Sequence, residues 1–125
     1  MNFRTLMTVN AVIAFLFGLG FVLIPWQVYK FYAVAANPQI NYMGQLFGAA
    51  LIGFAILTWK AKSAADSDCR KAIILALFLS NIIGFIVALF AQLGGVVNSM
   101  GWSTVLIYLF LASGFGYFYF SKSAS

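Results

Sequence analysis

Histidine is absent from this 125-residue chain, acids number two and cysteine one. Each scarcity excludes chemistry. Asp66 and Asp68 are the only carboxylates, so the long apolar runs hold no group for general acid–base catalysis or a proton relay. A nucleophilic serine would lack an activating base. With no histidine and a lone Cys69, no transition-metal ligand set is at hand, and neither a disulfide nor a redox pair can form within the chain. No catalytic residue, metal site or cofactor is expected, and the chain is not expected to be an enzyme.

Charge is scarce as well. Charged residues make up 7% of the chain and apolar ones 64%, against about 25% and roughly 45–50% in a soluble domain. So few polar residues cannot cover the surface of a water-soluble protein of this size. A lipid bilayer is the natural partner, and one domain, residues 1–125, is the expected count. The net charge of +5 does not point to nucleic acid, because the bases lie at segment ends and form no basic face interleaved with aromatics.

Four apolar stretches, 6–24, 40–59, 72–93 and 102–120, contain no ionisable Asp, Glu, Lys, Arg or His. Each approaches the roughly 20 residues that cross about 30 Å of hydrocarbon as a helix. Runs such as "GAALIGFAIL" lack the alternation of a barrel strand. The expected fold is an all-α bundle of four transmembrane helices. Asn37 followed by Pro38 reads as the start of the second span. "SAAD" (63–66) has capping-box spacing before the third, and Asn98 offers a cap for the fourth.

Sidedness follows from the bases. Arg4, Lys60, Lys62, Arg70, Lys71 and Lys122 fall on one side of a four-span chain and Lys30 alone on the other. Cytoplasmic segments are enriched in Lys and Arg, so both termini and the charged turn are expected inside. Trp26, Trp59 and Trp102 stand at span ends, as an interfacial belt requires. "AVAAN" (33–37) carries a cleavage-like pattern, but the first apolar run exceeds a signal h-region and residues 25–32 intervene, so no cleavage is expected. Residues 26–35 fit either a short interfacial helix, with Val28, Phe31, Tyr32 and Ala35 as its stripe, or an irregular loop. Cys69, beside Arg70 and Lys71, is expected to be a free thiol, with acylation as the alternative.

Each span has small residues four apart: Asn10–Ala14–Gly18, Gly44–Gly48 with Ala49–Gly53, Ser80–Gly84–Ala88, and Ala112–Gly116. Helices in lipid associate by close packing and hydrogen bonds, so these are the expected packing seams. Asn10, Gln45, Asn81, Gln92, Tyr108 and Ser113 are the polar residues singled out within the spans. Asn81, nearest mid-span, is expected to bond across helices. Gln45, Gln92 and Tyr108, with Asn41 and Tyr42, could line a shallow pocket open to the outside. A Gly-Phe step recurs in every span, at 20, 53, 84 and 114, which duplication of a helical hairpin would produce and chance would too.

The span-one glutamate of small multidrug exporters, the paired cysteines of quinone-linked thiol oxidoreductases and the motifs of fluoride channels are all missing. "FLFGLGFVLIPW" (15–26), with Phe17, Gly18 and Pro25, and "QLFGAALIGFAILTW" (45–59), with Leu46, Gly48, Gly53 and Trp59, resemble the bacterial four-span membrane proteins of unknown function. Those often carry Arg where this chain has Gln45, so a role resting on that charge does not carry over. The resemblance implies a four-helix fold in the bacterial inner (plasma) membrane, and no activity. The leading expectation is a small subunit or assembly and scaffold factor of a membrane complex, partnered by membrane proteins or copies of itself. The alternative is a binder or carrier of a small lipophilic molecule such as a quinone, lipid or pigment. A channel and an enzyme rank below both.

Overall fold

The computed structural model describes residues 1–121 and places five helices in them: α1 (Phe3–Leu23), α2 (Pro25–Phe31), α3 (Pro38–Ala61), α4 (Asp68–Leu93) and α5 (Gly101–Phe120). No strand occurs among the described residues. α1, α3, α4 and α5 are long and apolar enough to cross a membrane, and they match the four expected spans. Ile24, expected to close the first span, is instead the junction between α1 and α2. Lys122 lies outside the described residues.

Polar caps set most helix starts. Asn2 accepts the Thr5 amide at 2.8 Å to open α1, and Asn37 accepts the Ile40 amide at 2.9 Å ahead of Pro38 in α3. The expected capping box at 63–66 does not form. The chain is still reversing direction there, and Ser67 caps α4 by accepting the Arg70 amide at 3.2 Å. Ser63 accepts instead from Arg4 of α1, at 2.9 Å. Asn98 does not cap α5 either, because the helix starts three residues later; its side chain accepts the Met100 amide at 3.0 Å in a local turn. Of residues 26–35, only those to Phe31 are helical. The helix ends at Tyr32, and Ala33 adopts a left-handed φ of 59° that redirects the chain.

Packing then orders the bundle. α1 runs along α3, α5 runs along α4, and the two pairs join where α1 meets α5. The apolar windows of α1 and α5 are 33% buried and those of α3 and α4 only 17%, so α1 and α5 are the inner helices and α3 and α4 the outer ones. Leu6, Met7, Ile74, Leu77, Leu111 and Phe115 form the core, together with Phe3, Ala61 and Phe118 at the charged-turn end. Towards the other end this core gives way to a space between the pairs.

The α1–α3 contact is a backbone approach. A methyl on Gly48 would lie 2.8 Å from the Gly18 carbonyl oxygen, and one on Gly18 would lie 3.0 Å from that of Gly48. Elsewhere glycines seat aromatic side chains: Gly44 beneath Tyr29, Gly84 beneath Tyr108, and Gly116 against Phe78. Gly53 does neither, because a methyl there would meet nothing within 4 Å. Its face of α3 points away from the rest of the chain.

Candidate functional site

The space between the helix pairs is a cavity of about 280 Å³. α1 contributes Asn10, Ala14, Phe17 and Phe21, and α3 contributes Phe47, Leu51 and Phe54. Leu77, Ser80 and Asn81 of α4 face these, with Thr104, Ile107, Tyr108 and Leu111 of α5. Leu77 and Leu111 belong to the core and form the floor. The opposite end is roofed by Tyr32, whose hydroxyl lies 2.8 Å from that of Thr104. Asn98 reinforces the roof, its side chain donating to the Phe31 carbonyl and its backbone N–H to that of Tyr32, both at 3.1 Å. α3 and α4 make no extended contact, so the side between them is where the cavity opens, and Ser80 is exposed there.

The walls are mostly apolar, and the few polar groups in them are fixed. Asn10 and Asn81 are each 6% exposed. Asn81 Nδ2 donates to the Leu77 carbonyl at 2.7 Å. A carbonyl only accepts, so the amide nitrogen must be the bonded end. Asn10 Nδ2 donates to Thr58 Oγ1 at 3.4 Å; that hydroxyl is committed as a donor to the Phe54 carbonyl at 2.8 Å and has only lone pairs to offer. Both bonds therefore leave an Oδ1 acceptor with no partner among the described residues. The Tyr108 hydroxyl is likewise unpartnered among them. Two amide acceptors and one phenol in an apolar chamber suit a ring or chain that carries a hydrogen-bond donor.

Of the polar residues singled out within the spans, the cavity gathers Asn10, Asn81 and Tyr108. Gln45 lies on the α1–α3 seam and donates to the Val22 carbonyl at 3.2 Å. Gln92 donates to the Asn98 carbonyl at 3.1 Å, with its Oε1 buried and unbonded near Gly101. These two sit on the outer helices, α3 and α4, which do not pack together, so they share no pocket. Tyr42 and Ser113 are exposed, and Asn41 is not among the cavity residues. Thr104 and Thr58 are not singled out in the sequence, and Tyr32 only as part of an interfacial stripe. Thr58 is fully buried, and a hydroxyl inside an apolar span was the available signal. No local pattern pairs Tyr32 with Thr104, 72 positions away. Outside the long helices, burial raises the Tyr29 phenol above its ordinary pKa, and its hydroxyl donates to the Ile40 carbonyl at 2.7 Å. Among the described residues no three metal-binding side chains cluster.

A family model described as "Domain of unknown function (DUF8292)" matches residues 2–121. No curated protein and no solved structure matches the chain.

Proposed function

The chain belongs to the DUF8292 family, and we propose that it is a multi-pass membrane protein binding a small lipophilic molecule between its two helix pairs. One observation carries the reading: an apolar cavity of about 280 Å³ lined by two buried asparagines with unused acceptors. A dry apolar cavity of about 150 Å³ holds one benzene, so this one accommodates a substituted or bicyclic ring. The two amide oxygens have no partner among the described residues, and a ligand hydroxyl donating to either would form a hydrogen bond with a net contribution of about 1 kcal/mol. The hydroxylated form of a quinone has the required shape and chemistry. The gap between α3 and α4 supplies entry from the lipid rather than from water. On this reading the protein is a binder or carrier and not an enzyme, and it lies in the bacterial plasma membrane with both termini and the charged turn cytoplasmic.

A subunit or scaffold role, with a membrane-protein partner or a second copy, is the leading expectation from the sequence and here the second reading. Ala49 and Gly53 favour it, because both are exposed on the outward face of α3, where small residues invite another helix.

Native mass spectrometry of the gently extracted protein separates the two. A reproducible organic mass, lost in Leu51→Trp, which fills the cavity, supports the binder. Stoichiometric association with other polypeptides and no such mass moves the subunit reading ahead. Bare protein under every extraction condition would overturn the binder.

A further inference from the structure

We propose a second, separate binding site: the basic cleft at the charged-turn end, built from Arg4, Lys62 and Arg70, holds a phosphate-type anion. The cleft encloses about 480 Å³ and is walled by the start of α1, the turn after α3, the first turn of α4 and, from α5, Tyr117 and Phe118. Arg4, Lys62 and Arg70 line it from three parts of the chain, and no carboxylate does. Asp66 and Asp68, the nearest acids in sequence, are exposed, and no ion pair forms among the described residues.

Arg70 is the decisive residue. It is only 8% exposed, although it carries a full charge. Its guanidinium lies over the Phe3 ring, 3.7 Å from the centroid, and Nη1 donates to the Ala64 carbonyl at 3.1 Å. Those contacts fix the plane of the group and use little of its capacity. Nε is buried without a partner, and Nη2 makes no hydrogen bond among the described residues. A buried charge with unused donors and no counter-ion is costly to keep. An anion with several oxygens on one centre removes that cost, and a planar guanidinium matches phosphate in a two-point contact.

The surroundings fit the same ligand. Arg4 is held at the rim by its bond to Ser63, and Lys62 lines the cleft while its ammonium rests 3.1 Å from the Trp59 ring centroid. The N-terminal ends of α1 and α4 lie at this end of the bundle and add partial positive charge. Two sources could supply the phosphate: the headgroup of an acidic phospholipid, since Lys62 of the cleft rests on Trp59, a residue expected at the membrane interface, or free phosphate.

The full chain in neutral detergent, equilibrated with equal amounts of phosphatidylglycerol and phosphatidylcholine, tests this by native mass spectrometry. Phosphatidylglycerol should be retained at least about tenfold over phosphatidylcholine. The preference should vanish in Arg70→Gln and weaken in Arg4→Gln/Lys62→Gln, whose positions are at the rim and whose folding is checked by helical circular dichroism. If Arg70→Gln fails to fold, the rim variant decides. A rise in the unfolding midpoint with inorganic phosphate, present in the wild type and absent in the rim variant, supports the site with free phosphate as its occupant. Equal retention of both lipids with no phosphate response, or a preference unchanged in folded variants, overturns the proposal.

Discussion

The hydroxyls of Tyr32 and Thr104 lie 2.8 Å apart and tie the segment after α2 to the first turns of α5. With the Asn98 bonds to Phe31 and Tyr32, this is the polar closure at the end of the cavity far from the core. Interhelical bonds of this kind contribute about 1 kcal/mol or less. Tyr32→Phe combined with Thr104→Val should therefore raise opening of this end by a factor of up to about five. Hydrogen exchange across residues 28–36 and 98–104 reads that opening, while exchange at the charged-turn end should stay unchanged.

The Gly18–Gly48 contact is backbone against backbone, so a side chain there has nowhere to go. Gly48→Val should destabilise the fold by about 1–3 kcal/mol through forced separation of α1 and α3. Gly53→Val is the matched control, since its added atoms meet open space. Denaturant titration in detergent should place the first variant well below wild type and the second beside it. Equal behaviour of the two would mean that the α1–α3 interface is looser than this contact implies.

How far the sequence reveals this molecule depends on the range of the signal. The four long helices are legible because length and apolarity are local properties, and Asn37–Pro38 marks the start of α3 for the same reason. Ser63 and Asn98 mislead because several turn residues are capable caps, and only the path of the chain selects Ser67 and leaves Asn98 to bond Phe31. The Gly-Phe steps look alike in sequence, yet Gly114 packs against Leu6 while Gly53 meets nothing, so they mark no shared contact. The cavity was only half legible. Asn81 and Tyr108 stand out as polar residues in apolar runs, but their meeting with Asn10 requires the helix order α3–α1–α5–α4, which no local pattern encodes.

If the unpaired acceptors select the ligand, removing them should weaken binding more than stability. Asn81→Leu loses a bond made within its own helix, and the substitution nearly conserves volume, so the unfolding midpoint should move little. Affinity for a hydroxylated naphthalene probe should fall by about tenfold for Asn81→Leu, as expected for one lost hydrogen bond of about 1 kcal/mol or slightly more. Asn10→Leu should behave alike, because Thr58 keeps its bond to the Phe54 carbonyl. Fluorescence titration of the probe against both variants measures this, with Gln45→Leu as the control outside the cavity. Unchanged affinity in both asparagine variants would remove the asparagines from ligand recognition.

Cys69, exposed and the only cysteine in the chain, reports sidedness without engineering. It lies in the first turn of α4, beside the bases whose asymmetry sets the expected orientation. A membrane-impermeant maleimide should label it in inside-out vesicles and leave it unlabelled in intact spheroplasts. Ser99→Cys in a Cys69→Ser background, on the exposed turn between α4 and α5, should give the reverse pattern. Both positions labelled from one side would break the four-span topology itself, since α4 separates them. A clean swap of the two patterns would keep the topology and place the basic cleft outside the cell. It would leave the cavity intact, because the opening between α3 and α4 lies along the side of the bundle and does not depend on which end is cytoplasmic.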